Sequence, residues 1–206
     1  MNLNSAFTRI VGLLLICSLF CGAAFAQDTN APAATPTATP ATAQVSTDNP
    51  TVAAEPYQWF YFLGRFHPIL LHFPIGLIVI LLIVEVVGVI RGSTGEMAAA
   101  RWVLLTFGAL SAVVAAFFGW FLSWTGGYDA DIVWWHRLTG FIVAGLASAA
   151  LIARFLYDRR NDDRFGWAYG LSLVACAGVL VPAGHYGAEL THGTTYLTRY
   201  LPEELA

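Results

Sequence analysis

The chain contains no lysine, and charged residues of both signs fill only 11 % of its 206 positions. A soluble domain carries about 25 %. The net charge is −3. The chain therefore lacks the basic surface that a nucleic-acid binder needs. Cysteine is equally scarce. Cys17 and Cys21 lie at the start of the chain and Cys176 in a late apolar run. With the first 26 residues removed one thiol would remain, too few for an internal disulfide. No CxxCH is present, which excludes covalent c-type haem. HExxH, Gly-rich phosphate loops and nucleophile–base motifs are also missing, which argues against a hydrolase or a nucleotide enzyme. What abounds is apolar surface. Hydrophobic residues make up 57 % of the chain and its mean hydropathy is +0.64. These values point to a polytopic membrane protein.

Four segments follow from the residue pattern. Residues 1–26 read as a cleaved signal peptide, with Arg9 before the apolar run Ile10–Phe20 and Ala24-Phe25-Ala26 as the small-x-small site. Residues 27–55 are rich in Ala, Thr and Pro and read as a disordered linker. Residues 56–185 hold four apolar runs, at about 66–90, 102–122, 132–153 and 165–184. Each is long enough to cross a ~30 Å hydrocarbon core. Residues 186–206 form a C-terminal tail, expected to turn at Gly184, Gly187 and Gly193 and fold over the bundle mouth. The fold class is an all-α membrane protein, a four-helix transmembrane bundle.

Arginine sets the orientation. Arg91 and Arg101 flank the first connection, and Arg154, Arg159, Arg160 and Arg164 surround the third. The second connection carries Asp129 and Asp131 and no basic residue. By the positive-inside rule the first and third face the cytoplasm. Both mature ends are then periplasmic, in a bacterial inner membrane.

All five histidines, His67, His72, His136, His185 and His192, fall at the outer ends of spans or just beyond. His72 lies roughly 9 Å and His136 roughly 6 Å into their spans at 1.5 Å per residue. Imidazoles converging between helices are how bundles hold haem or metal ions. His72 and His136 make the expected axial pair for a b-type haem iron, because their depths match and the first and third spans can lie diagonally. His185 is the reserve ligand, and His67 and His192 rank as peripheral. Arg65 and Arg137 are suited to the propionates. A His-based copper or zinc site is the alternative metal chemistry. Glu85, the one acidic residue inside a span, is expected to pair with Arg154 or Arg101.

HPILLHFPIGL at 67–77, WWHRLTG at 134–140 and GHYGAELTHGTTYL at 184–197 together resemble the bacterial membrane family called domain of unknown function 2231. The resemblance covers about residues 60–198. Its pattern carries over to the five histidines and to Gly184, Gly187 and Gly193, with Ala188 where relatives often have Gly. It implies four spans and a redox setting, since relatives are often fused to c-type cytochrome or Rieske domains. A periplasmic c-type cytochrome is then the expected separate partner, or quinol, alongside the lipid bilayer and no nucleic acid. Two readings follow. The first is a membrane electron-transfer subunit with haem b. The second is a cofactor-free anchor for a periplasmic partner. Either is a carrier or anchor rather than a stand-alone enzyme.

The orientation has a direct check. A reporter active only in the cytoplasm, fused after Ala206, should stay silent; signal from it would overturn the assignment.

Overall fold

A computed structural model describes residues 58–92, 95, 97–194, 196, 200 and 201. The signal-peptide and linker segments lie outside the described residues. Six helices follow in order: α1 (Gln58–Gly64), α2 (His67–Leu70), α3 (His72–Arg91), α4 (Ala98–Ser123), α5 (Ala130–Arg160) and α6 (Asp163–His192). No strand occurs among the described residues. Four helical stretches are long and apolar enough to cross a membrane: Gln58–Arg91, Ala98–Ser123, Ala130–Arg160 and Asp163–His192.

Local chemistry sets the boundaries. Pro68 starts α2, where its missing N–H costs nothing. The short breaks before α2 and α3 divide the first span into three helices. Gly92, at φ 65°, ends α3. The carboxylate of Asp129 accepts from the backbone N–H groups of Asp131 and Ile132 at 3.0 and 3.1 Å, capping α5. The turn into α6 needs only two residues. Asn161 closes α5 in the left-handed conformation at φ 49°, and Asp162 caps α6 by accepting from Arg164 N–H at 2.9 Å.

The fourth span differs from expectation at its end. The sequence suggests a stop near Gly184, but α6 continues unbroken to His192, with Pro182 inside it. Gly184 and Gly187 are helical, and only Gly193, at φ 89°, makes a turn. Residues 186–192 are thus part of the fourth helix rather than a separate tail.

Each span packs on its sequence neighbours, most extensively the third on the fourth, and the fourth returns to the first. The first and third spans therefore face one another across the diagonal. The core is built from small side chains: Ala109, Ala112, Ala115, Ala144, Ala147, Ala150 and Ala153 are buried. Large apolar side chains such as Phe107, Ile152 and Val181 point outward. That distribution suits a bundle in lipid, where close approach of helices rather than exclusion of apolar surface holds the spans together. The α1 segment lies across the end of α4, where a Cβ on Gly64 would sit 2.6 Å from Leu122 N.

At the arginine end a polar network joins all four spans. Glu85, 5 % exposed, receives the Tyr169 hydroxyl on Oε1 at 2.6 Å and pairs with Arg101 Nε at 3.0 Å. Of the two partners expected for Glu85, Arg101 is the one it meets. Arg154 instead pairs with Asp158 at 3.1 Å, and its guanidinium lies 5.7 Å from the Tyr169 ring centre. The Trp102 indole donates to Asp158 at 3.0 Å.

Breaking a buried ion pair from one side leaves a stranded charge, at a cost of about 3–5 kcal/mol. Glu85→Ala should lower thermal stability in detergent accordingly, and the double variant Glu85→Leu with Arg101→Leu should lose less than the single one.

Candidate functional site

The first span opens with two histidines five residues apart. Five residues turn a helix by about 140°, so the two rings cannot share one direction. The structure separates them. His67, at the head of α2, turns inward and is half-buried, while His72, at the head of α3, is exposed. His136, nearly two turns into α5, is also half-buried. The rings of His67 and His136 meet across the diagonal, with centres 5.9 Å apart and planes at 77°.

Both rings are held the same way. His67 Nδ1 donates to the Ala115 carbonyl on α4 at 2.8 Å. His136 Nδ1 donates to the Ala183 carbonyl on α6 at 3.0 Å. A carbonyl only accepts, so Nδ1 carries the hydrogen in each bond. In the neutral ring the lone pair then sits on Nε2, the arrangement that orients a histidine ligand.

Two glycines make these bonds possible. A helix carbonyl is normally flanked by the side chain four residues on. Here that residue is Gly119 for Ala115 and Gly187 for Ala183. A Cβ on Gly119 would lie 2.8 Å from His67 Cε1, and one on Gly187 would lie 3.0 Å from His136 Cε1. Each imidazole occupies the space that a side chain would fill.

The other expected residues stand apart from this pair. His185 is half-buried, with Nε2 3.4 Å from Glu189 Oε1 one turn along the same helix. His192 is exposed and stacks on Tyr196, ring centres 4.3 Å apart. Arg65 and Arg137 are both exposed. Arg137 also lines a cavity of about 290 Å³ beside the α4–α5 connection, with Ser123, Tyr128 and Trp134. The structure brings His136 to His67 and leaves His72 exposed. His136 meets His67, which the sequence ranked as peripheral, because residue 67 lies eighteen residues, five helical turns, before buried Glu85 and so shares its inward face. Among the described residues no group of three or more His, Cys, Asp or Glu side chains comes together.

The sequence reading missed the carbonyls of Ala115 and Ala183 and the seat at Gly119. The available signal was an alanine followed four residues later by glycine, present near the end of both the second and fourth spans.

Four apolar helices, a network of charge at one end and a pair of oriented imidazoles at the other define a four-span α-helical membrane protein. The chain belongs to the family described as "Predicted membrane protein (DUF2231)", whose model matches residues 65–196. No curated protein matches the chain, and no solved structure does.

These positions imply unequal consequences for the two histidines of the first span. His67→Ala removes a half-buried hydrogen bond and should lower stability by about 1 kcal/mol. His72→Ala changes an exposed residue and should stay within about 0.5 kcal/mol of the parent. Thermal unfolding of the two variants in detergent checks the difference.

Proposed function

We propose that the protein is a membrane electron-transfer subunit holding one b-type haem between its first and third spans, with His67 and His136 as axial ligands. The observation that carries this reading is the matched orientation of the two rings. Each comes from a different span, each has Nδ1 committed to a backbone carbonyl, and each keeps Nε2 for a ligand. Two imidazoles on one metal ion, at ~2.0–2.1 Å per metal–nitrogen bond, have ring centres about 6 Å apart. The 5.9 Å separation matches that spacing, and it is also the distance of an ordinary edge-to-face ring contact. A tetrahedral zinc cage is a poorer fit, since it calls for four donors.

Bound at this site, haem supplies a one-electron couple. The chain's own residues do the rest. The carbonyls of Ala115 and Ala183 fix the ring orientations. Gly119 and Gly187 let the rings lie close to the neighbouring helices. The apolar spans keep the site dry. Arg65 and Arg137, exposed at the same end, are the candidates to meet propionates. His72, His185 and His192 serve no axial role in this reading. The histidine end is where a periplasmic cytochrome or quinol would exchange electrons.

The same hydrogen bonds and close ring packing also suit a cofactor-free lock between helices, which corresponds to the anchor reading. Colour separates the two. Protein purified from haem-replete cells should show a reduced-minus-oxidised haem spectrum. His67→Ala and His136→Ala should each abolish or strongly shift it, while His72→Ala and His192→Ala should leave it in place. A colourless parent protein would overturn the haem assignment.

A further inference from the structure

The two imidazoles are held so alike that their settings can be superposed residue by residue. A shift of 69 positions carries His67 onto His136, and a shift of 68 carries Ala115 and Gly119 onto Ala183 and Gly187. Both hydrogen bonds run from the start of an odd-numbered span to a carbonyl near the end of the next span. Both rings rest on the glycine one turn beyond that carbonyl.

The histidines thus fix a register, and the buried core can be compared in it without further choice. In the odd spans Pro74, Ile78 and Leu81 answer to Val143, Ala147 and Ala150, and all six are buried. In the even spans Leu105, Gly108 and Ala115 answer to Leu173, Cys176 and Ala183, again all buried. The correspondence extends to the far end. Arg101 answers to Tyr169, and both reach Glu85; Glu85 answers to Arg154, whose guanidinium lies over the Tyr169 ring. The match is partial: Ala144 is buried while its counterpart Ile75 is exposed, and buried Ala109, Ala112, Thr139 and Ala153 answer to half-buried Ala177, Leu180, Leu70 and Val84.

Matched burial alone would say little, since any two helices with one inward face can be slid into agreement. What is specific is that one register aligns the imidazole bonds, the glycine seats, six buried pairs of the core and the polar cluster together. The odd spans run in one direction and the even spans in the other. The relation between the halves is therefore a two-fold rotation about the bundle axis, not an inversion.

We infer that the four-span domain is an internal repeat of two helical hairpins. Each hairpin carries the same histidine–carbonyl–glycine lock, and each presents one imidazole at the shared axis. The site is then built for a centre that accepts two equivalent donors from opposite sides. That is the axial pair of a haem iron rather than a cage drawn from one hairpin. The assignment of the centre rests on the function proposed above; the repeat itself does not.

Mutant cycles on the full-length protein in detergent test the repeat without any cofactor. Gly119→Ala and Gly187→Ala should each lower the melting temperature by pushing a ring off its carbonyl. Adding Gly119→Ala to His67→Ala should cost little more, and Gly187→Ala should cost little more on top of His136→Ala. The crossed combinations, His67→Ala with Gly187→Ala and His136→Ala with Gly119→Ala, should be closer to additive. If a glycine variant fails to accumulate, recovery by its own hairpin's histidine variant and not by the other reports the same coupling. Coupling in only one hairpin, or coupling as strong across hairpins as within them, would overturn the repeat. Both cycles coupled in a colourless protein would uphold the repeat and sink the haem assignment.

Discussion

A carboxylate at position 85 lies in an apolar helix with no water to turn to, and it must find its partners inside the bundle. Charged groups at membrane depth are costly unless they meet one another or a backbone group. Glu85 meets Arg101 from the second span and Tyr169 from the fourth. Arg154 from the third closes over the same tyrosine. The requirement of a single side chain therefore draws four helices to one point. Small residues above it let the backbones approach, and the alanine-rich core follows from that closeness. Without a hydrophobic driving force between helices in lipid, such polar contacts specify which faces meet.

The opposite end is tied by a different chemistry with the same logic. Imidazole N–H groups reach helix carbonyls that already serve their own helices, which is possible because a carbonyl oxygen has two lone pairs. These bonds join first span to second and third to fourth, while the ring contact bridges the diagonal. The bundle is thus fastened at both ends. At the histidine end the fastening leaves an atom on each ring suited to a ligand, whereas at the arginine end the carboxylate is already engaged by two neighbours.

Much of the architecture was legible in the sequence, because hydrocarbon imposes length and polarity directly. Four runs of sufficient length gave four spans, and the lone intramembrane glutamate pointed to arginine. The candidate site was less legible for reasons of local geometry. Residue spacing showed that His67 and His72 could not face the same way, but not which of them faced inward. That followed from a longer spacing: His67 lies eighteen residues, five turns, before Glu85 and so shares its inward face. Depth alone favoured His72, and rotation about the helix decided for His67. The end of the fourth span was misjudged for a related reason. Gly184 and Gly187 look like helix breakers, yet Gly187 remains helical and is needed there because an imidazole lies where its side chain would be.

Between the two fastened ends lies a closely packed layer that carries no charged side chain. Leu81, Ala150 and Cys176 are wholly enclosed, and Leu173 is nearly so. Leu81 and Ala150 occupy matching places in the two halves, on spans that face across the diagonal. These packed side chains stand between the imidazole pair and Glu85. The two polar clusters are thus separate fastenings, each with its own partners: Tyr169 and Arg101 for the carboxylate, the carbonyls of Ala115 and Ala183 for the rings.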